Sequence, residues 1–245
     1  MKVIGVIPAR YKSSRFPGKP LVDICGKPMI WWVYEQCKKV HKLDDVYVAT
    51  DDERIADVCK KYEMNVVMTS TVHPTGSDRV AEAAKKIEGD IFVNIQGDEP
   101  LIAPEMIEQV IELFDDENVY YGTLKEKIDD ENLIQSINTV KVVTDNNDDA
   151  MFFSRSVIPS NVKDGKFLSV YRHVGIYAYT RDFLQKYSEI PQSQLELSEG
   201  MEALRALELG YKMRVAETTY SSIGVDTPEQ AVEVENIIKR NMNRG

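Results

Sequence analysis

The sequence is poor in residues that support several common kinds of chemistry. Its 245 residues include three cysteines, Cys25, Cys37 and Cys59, and none of them forms a Cys-x-x-Cys pair. With only three histidines as well, the chain has no Cys/His cluster typical of a zinc site. An odd number of cysteines without such spacing favours a reduced, cytoplasmic protein.

Long apolar segments and glycine-rich nucleotide motifs are missing too. No apolar run approaches ~20 residues, so no transmembrane helix is expected. The apolar run after Lys2 breaks at Pro8 and Arg10, which argues against a signal peptide. Walker-A, Gly-x-Gly-x-x-Gly and nucleophile-elbow patterns are absent. A formal net charge of −10 argues against a general nucleic-acid-binding protein, because duplex binding requires a broad basic face.

The first 28 residues contrast with this acidic background. Residues 3–7 form a short β-branched run that predicts a buried strand. The loop that follows contains a Pro17-Gly18 turn, and its cations and hydroxyls are Arg10, Lys12, Ser13, Ser14, Arg15 and Lys19. Cations and backbone N–H groups just past the carboxyl end of a first strand suit a polyphosphate. We interpret the loop as a phosphate site, although an ordinary strand-to-helix loop with surface lysines has a similar composition.

Strand-like and helix-like runs alternate through the first half of the chain. Strands are predicted over 3–7, 45–50, 65–69 and 90–95, and helices over 28–41, 52–62, 77–87 and 104–114. The alternation predicts an α/β fold with a mostly parallel sheet and helices on both faces.

The second half is richer in strands. They are predicted over 119–124, 139–144, 151–154, 170–179 and 211–217, with helices over 181–187, 193–209 and 228–241. Gly210 is expected to end the helix over 193–209, and the acidic clusters 115–117 and 129–131 are expected to be solvated loops. We expect one domain over residues 1–245 with a smaller β-rich insert at about 120–180.

Two acidic loops are candidate metal-binding segments. Gln-Gly-Asp-Glu-Pro over 96–100 ends a predicted strand, and Gly-Val-Asp-Thr-Pro over 224–228 precedes a predicted helix. Mg²⁺ binds one or two carboxylates together with substrate phosphates. Asp98 is preferred to Glu99, whose side chain should point the other way in extended backbone. Taken alone, Asp226 is more often a helix cap than a metal ligand, and it becomes a candidate ligand only as a partner of Asp98.

Two further segments have structural explanations beside functional ones. Ser77 is expected to cap the helix that it begins, and Asp78 is favoured there by the helix dipole. His173 lies in a predicted strand, where a lone histidine is more often structural than catalytic. No Ser/His/Asp arrangement accompanies it.

Together these segments resemble the sugar-acid cytidylyltransferases, and most closely the Kdo cytidylyltransferase (CMP-Kdo synthetase) family. The resemblance rests on Ile-Pro-Ala-Arg-Tyr-Lys-Ser-Ser-Arg-Phe-Pro-Gly-Lys-Pro-Leu (7–21) and Gln-Gly-Asp-Glu-Pro (96–100). Further matching segments are 26–30, 49–55, 73–79, 152–156, 172–179, 204–208 and 224–228. They occur in the family's order over nearly the whole chain.

The resemblance implies a Rossmann-like nucleotidyltransferase fold and a Mg²⁺-dependent homodimer that transfers CMP from CTP to a 2-keto sugar acid for lipopolysaccharide biosynthesis. It implies dimerisation and acceptor roles for the β-rich insert. The implied catalytic residues are Arg10, Lys19, Asp98 and Asp226, the last two as metal ligands. The implied nucleotide-binding residues are Ala9, Arg10, Ser13, Arg15, Lys19, Asp78 and Arg79. The implied acceptor-binding residues are Gln96, Arg155, His173, Tyr177 and Glu202.

Departures from the family pattern fall on the acceptor half. Ala203 replaces a glutamine of the sugar pocket, Val157 and Ser160 alter the segment after Arg155, and Asp149 replaces a glycine. Kdo, an 8-amino analogue and a smaller phosphonate therefore remain open as acceptors. A catalytically silent CTP-binding homologue is the alternative outside enzymes, and the presence of Lys19, Asp98 and Asp226 argues against it.

Overall fold

The computed structural model describes residues 1–12, 16–160 and 169–242. The chain forms two compact units, Met1–Glu108 together with Ser221–Gly245, and Gln109–Tyr220. No helix among the described residues is both long and apolar enough to cross a membrane. The three cysteines are all free.

The first unit is built on four parallel strands. These are β1 (Val3–Ala9), β4 (Asp45–Thr50), β5 (Val66–Met68) and β6 (Ile91–Asn94), and a short hairpin comprises β2 (Asp23–Ile24) and β3 (Lys27–Pro28). The parallel strands lie in the order β6-β1-β4-β5. Its helices are α1 (Met29–Cys37), α2 (Glu53–Lys61), α3 (Gly76–Lys86), α9 (Pro228–Met242) and α4 (Pro104–Glu112), which crosses the sequence boundary between the units. Because β1 and β6 are adjacent and parallel, their carboxyl ends lie at the same edge of the sheet.

A small apolar core attaches the C-terminal helix to this unit. Ile24 and Met29 pack with Val225, which precedes α9, and with Val234 and other apolar side chains of α9, and all four of these residues are fully buried. Burying each such side chain contributes roughly 1.5–3 kcal/mol. The segment before α9, which carries Asp226, is therefore fixed against the first unit.

The second unit contains a mixed sheet. Its strands are β7 (Tyr121–Ile128), β8 (Lys141–Thr144), β9 (Ala150–Ser154), β10 (Val170–Thr180) and β11 (Arg214–Thr218). Strand β7 pairs antiparallel with β10 and parallel with β11, and β8 pairs antiparallel with β10 and β9. Its helices are α5 (Glu131–Gln135), α6 (Arg181–Glu189), α7 (Gln194–Glu199) and α8 (Leu204–Glu208). The α/β fold class with a largely parallel sheet is confirmed, whereas the expected single domain with a dimerisation insert stays a prediction.

Two predictions for the second unit are wrong. The single helix expected over 193–209 is two helices, because Gly200 has φ +58° and ends α7 in a left-handed conformation. Gly210, at φ +80°, does follow α8 as expected. The acidic cluster 129–131 is not only a loop, since the Asp130 carboxylate accepts a hydrogen bond from the Asn132 N–H and caps α5.

Candidate active site

The turn after β1 places Lys19. Gly18 has φ +74°, and a Cβ there would lie 3.2 Å from the Tyr11 ring, so this position requires glycine. The Gly18 N–H donates to the Tyr11 carbonyl at 2.8 Å and closes the loop. Lys19 then begins a single 3₁₀ turn that contains Pro20. The Lys19 side chain is 14% exposed, so its ammonium is held within the site.

A second glycine brings the loop after β6 against the end of β1. A Cβ on Gly97 would lie 2.9 Å from the Pro8 carbonyl oxygen, closer than real Cβ contacts allow. The close approach places Asp98 beside the Lys19 turn. The Lys19 ammonium donates to an Asp98 carboxylate oxygen at 2.6 Å.

The segment before α9 brings the second carboxylate to the same point. The Val225 N–H donates to the Asp98 carbonyl at 2.8 Å, and the Asp226 carboxylate accepts from Lys19 at 3.1 Å. Thr227 and Gln230 form the reciprocal cap, since each side chain accepts from the other residue's N–H. Thr227 therefore caps α9, a role that the sequence also allowed for Asp226.

These residues border a cleft of about 360 Å³ within the first unit. Its described lining residues are Pro8, Ala9, Arg10, Lys12, Lys19, Pro20, Gly76, Gln96, Gly97, Asp98 and Asp226. Three cations and two carboxylates share this space, an arrangement suited to a polyanion that arrives with a metal ion. Gln96 is predicted to bind the acceptor, and the structure places it in this cleft. Ser13 and Arg15 lie outside the described residues.

Arg10 is oriented by main-chain carbonyls. Its Nη2 donates to the His73 carbonyl at 2.6 Å and to the Thr75 carbonyl at 3.0 Å. Among the described residues no acceptor contacts its Nε or Nη1, so these hydrogens could meet phosphate oxygens. Main-chain acceptors leave no sequence signal, so this tie between β1 and the segment before α3 was not predictable.

The start of α3 differs from the prediction in its cap. Thr75, not Ser77, is the capping residue, and it forms a reciprocal box with Asp78. Ser77 is buried and accepts from the Asn94 amide at 3.2 Å. Arg79 is fully buried and donates to Thr69 at 2.5 Å. Burial lowers the Arg79 pKa, and roles for Asp78 and Arg79 toward a nucleotide stay predictions.

The segment that holds Arg10 is itself attached to Glu82. The Glu82 carboxylate accepts from Lys86 at 2.7 Å, from the Ser70 N–H at 2.8 Å, and contacts His73 Nε2. Burial raises the Glu82 pKa, but the hydrogen bonds from Lys86, Ser70 and His73 more than offset this and bring it to about 2.

Replacing Glu82 with glutamine should destabilise the protein in a pH-dependent way. The folded pKa is about 2 against 4.5 for the free side chain, so the unfolded state binds more protons between these values. The stabilisation is therefore complete above about pH 4.5 and is lost as the pH falls towards 2. We expect Glu82→Gln to lower the free energy of unfolding by roughly 2 kcal/mol at pH 7. Urea unfolding should show this difference shrinking below pH 4.5.

The exposed Glu88 is the control, and Glu88→Gln should leave stability nearly unchanged. If Glu82→Gln lowers the free energy of unfolding by the same amount at pH 7 and at pH 3.5, the electrostatic explanation is wrong.

In the second unit, His173 is a half-buried, neutral side chain. Burial, and then the neighbouring Arg172 charge, lower its pKa to about 3. The Thr123 hydroxyl lies 2.7 Å from the Ile176 carbonyl and 3.1 Å from His173 Nε2. Because that hydroxyl has one hydrogen, it donates to Ile176 and accepts from Nε2–H, which leaves Nδ1 as an acceptor. His173 is therefore suited to hydrogen bonding and not to proton transfer near neutral pH.

Tyr177 and Glu202 belong to the same neighbourhood. The Tyr177 and His173 rings are 5.2 Å apart, and the Tyr187 hydroxyl donates to the Glu202 carbonyl at 2.8 Å. Burial and the Glu202 charge raise the pKa of Tyr177 well above its usual value, so it stays a hydrogen-bond donor. The structure thus brings together three of the predicted acceptor residues.

Arg155 and two of the unusual positions also lie in the second unit. Arg155 is held by carbonyls of other segments, including Glu199 at 2.6 Å. Asp149 is buried and accepts from Lys212 and Arg214, each at 3.0 Å, so its carboxylate joins β9 to β11. Ala203 is fully buried, so a glutamine there would need both space and hydrogen-bond partners.

The two carboxylates that contact Lys19 suit a magnesium ion whose remaining ligands come from the substrate. No group of three or more His, Cys, Asp or Glu side chains among the described residues forms a metal site. Asp98 and Asp226 provide two carboxylates converging on one cation, here the Lys19 ammonium. Mg²⁺ prefers this kind of incomplete protein site, with phosphates and water supplying its other ligands.

The sequence matches known proteins over its whole length. Residues 4–215 match the cytidylyltransferase family model. The 3-deoxy-manno-octulosonate cytidylyltransferase of Fusobacterium nucleatum is 49% identical over 243 residues, with 98% of each chain covered. The enzyme of the same name from Trichlorobacter lovleyi is 48% identical over 251 residues, covering 98% of this chain and all of the relative.

Solved structures agree with these matches. CMP:2-keto-3-deoxy-manno-octonic acid synthetase complexed with CTP has a TM-score of 0.94 at 41% identity, covering 98% of this chain and 100% of the other. The 4-diphosphocytidyl-2C-methyl-D-erythritol synthase of Anaerococcus prevotii, with a TM-score of 0.63 at 17% identity, shares the fold alone. The chain therefore belongs to the cytidylyltransferase family, and within it to the 3-deoxy-manno-octulosonate cytidylyltransferases.

Proposed function

We propose that this protein transfers CMP from CTP to the anomeric hydroxyl of Kdo or a close 2-keto sugar acid and releases pyrophosphate. The observation that carries the proposal is the bridging of Asp98 and Asp226 by Lys19 in a cleft that also contains Arg10. Relatives with this name at 47–49% identity support the choice of nucleotide and acceptor.

The reaction forms a bond between the acceptor oxygen and the α-phosphorus. The bond from that phosphorus to the β-phosphate breaks, the hydroxyl proton is lost, and pyrophosphate leaves. Catalysis of this kind is mainly positioning and charge stabilisation. Lys19 and the free hydrogens of Arg10 would hold the triphosphate, and they would stabilise the negative charge that grows on the leaving pyrophosphate.

Asp98 and Asp226 would hold Mg²⁺. When bound, the ion would neutralise phosphate charge during the transfer. Ser13, Arg15, Asp78 and Arg79 are proposed for the nucleotide from the family resemblance.

Acceptor recognition is proposed for a polar set in the second unit. Arg155 would contribute positive charge near an acid. His173 Nδ1 would accept a hydrogen bond from a sugar hydroxyl, and Tyr177 and Glu202 would donate and accept others. The acceptor role of Gln96, a homodimer and a cytoplasmic location are part of the same proposal.

A pyrophosphate-release assay tests this function. The purified protein is incubated with CTP and Mg²⁺ and with a panel of 2-keto sugar acids, 8-amino-Kdo and small phosphonates, and products are identified by mass spectrometry. We expect CMP-Kdo or the CMP ester of a close analogue, with little product from UTP. A phosphonate as the best acceptor would correct the acceptor class. Tight CTP binding without turnover on any acceptor would support the silent homologue instead.

A further inference from the structure

Strand β8 contains a lysine whose charge is fully buried. Lys141 has no exposed surface, and its Nζ donates to the carbonyls of Ser136 at 2.9 Å, Thr139 at 2.7 Å and Arg155 at 2.5 Å. The ammonium thus uses all three hydrogens on main-chain oxygens. It joins the segment before β8 to the residue that follows β9.

This buried lysine is unusual in its partners. Among the described residues, no carboxylate oxygen lies within ion-pair distance of its ammonium. Burial lowers the Lys141 pKa and the Arg155 charge lowers it further, while the more distant Glu199 carboxylate offsets part of this effect. An ammonium is costly to bury without a charged partner. Lys125, another buried lysine of this unit, instead has the Asp148 carboxylate at 2.9 Å and the Thr144 hydroxyl at 2.8 Å.

Glu199 also holds Arg155, through its main-chain N–H. At the end of α7, one Glu199 oxygen accepts from the Arg155 main-chain N–H at 2.8 Å, and the other accepts from the Ser154 hydroxyl at 2.9 Å. The main-chain N–H of Arg155 is bound by a carboxylate and its carbonyl by an ammonium. Both are charge-assisted hydrogen bonds, which are about twice as strong as neutral ones.

The guanidinium is then fixed by carbonyls. Arg155 Nε donates to Glu199 at 2.6 Å, Nη1 to Ile137 at 2.8 Å and Nη2 to Gly200 at 3.3 Å. These bonds use three of five N–H hydrogens and no carboxylate. Among the described residues no carboxylate pairs with the guanidinium, and two of its N–H hydrogens have no acceptor.

We propose that Lys141 and Glu199 are positioning residues for acceptor binding: together they hold Arg155 so that its two remaining donors face the acid substrate. The proposal rests on the proposed function, in which Arg155 borders the acceptor pocket. A displacement of about 1 Å in such a group can cost roughly 100-fold in activity.

The test compares Lys141→Met, Glu199→Gln and the matched control Lys125→Met. Steady-state kinetics give separate KM values for the sugar acid and for CTP. We expect Lys141→Met to raise KM for the acid by roughly 10- to 100-fold and Glu199→Gln by about 5- to 10-fold, with KM for CTP within twofold of the wild type. Lys125→Met should lower the melting temperature and leave KM for the acid unchanged.

A second readout follows Arg155 without turnover. NMR of protein labelled with ¹⁵N-arginine should show an Arg155 Nε–H signal protected from exchange, because it donates to the Glu199 carbonyl. The protection should be lost in Lys141→Met and Glu199→Gln and kept in Lys125→Met.

The outcomes separate the two proposals. Absence of wild-type turnover would contradict the proposed function, while the NMR signal would still decide whether Lys141 and Glu199 position Arg155. An unchanged KM for the acid in a folded variant, or protection that survives both substitutions, would overturn the inference. So would an equal rise in both KM values. If Lys141→Met does not fold, Glu199→Gln decides by the same criteria.

Discussion

Asp98→Asn and Asp226→Asn should each reduce Mg²⁺-dependent turnover by about 10³-fold or more. The two carboxylates converge on one cation, the Lys19 ammonium, at 2.6 and 3.1 Å. Asparagine keeps the size of each side chain but removes the charge that a divalent ion requires. Removing a group that stabilises transition-state charge typically costs 10²–10³ in rate, and a metal ligand should cost more.

The double variant distinguishes one shared site from two separate effects. Because both carboxylates would act on one ion, Asp98→Asn combined with Asp226→Asn should be little worse than either change alone. Asp57→Asn is the control, since Asp57 is an exposed residue of α2 that pairs with Lys60. Turnover should be measured over a range of Mg²⁺ concentrations beside thermal melts. If Asp226→Asn retains full activity and only melts earlier, its assignment as a metal ligand fails.

The sequence predicts the outline of the candidate nucleotide site because local chemistry marks it. Residues 45–50 are predicted as a strand and form β4 over the same residues. Asp98 and Asp226 are 128 positions apart. They can be paired from sequence only because Asp98 follows a predicted strand and Asp226 precedes a predicted helix in a fold with a parallel sheet. The contact between them depends on a main-chain bond from Val225, which has no sequence signature.

Other features have a sequence signal of their own. Thr75 with Asp78, and Thr227 with Gln230, have the three-residue spacing of capping boxes, so both caps could have been predicted. Gly200 interrupts an amphipathic pattern that otherwise predicts one helix. A glycine within a helix is tolerated at about 1 kcal/mol, so periodicity alone does not locate the break.

The proposed acceptor site is the least predictable from sequence. Lys141 lies between Val140 and Val142, and a lysine inside an apolar strand is the one signal that its charge is buried. Its partners are main-chain carbonyls, which any sequence provides. The contacts of Arg155 with Ile137 and Gly200 come from segments far apart in the chain, and only the tertiary structure joins them.

Lys19→Ala should lower turnover by about 10²–10³ while changing stability little. The ammonium contacts both carboxylates and would contact the triphosphate. Because its ion pairs are partly exposed, their loss should cost ~1 kcal/mol, or about 2–4 °C in melting temperature. Steady-state kinetics beside a thermal melt measure both quantities, and near-normal turnover would exclude this role.

The same substitution should have the opposite effect on metal binding without nucleotide. In the free protein, the Lys19 ammonium occupies the position between Asp98 and Asp226 that a divalent ion would take. Removing it leaves two carboxylates in mutual repulsion, so Lys19→Ala should bind Mn²⁺ more tightly than the wild type, as measured by electron paramagnetic resonance. The exposed Lys60 provides the control, and Lys60→Ala should match the wild type. Weaker Mn²⁺ binding by Lys19→Ala would mean that the two carboxylates do not form the ion site, because a competing cation can only lower the affinity of the site it occupies.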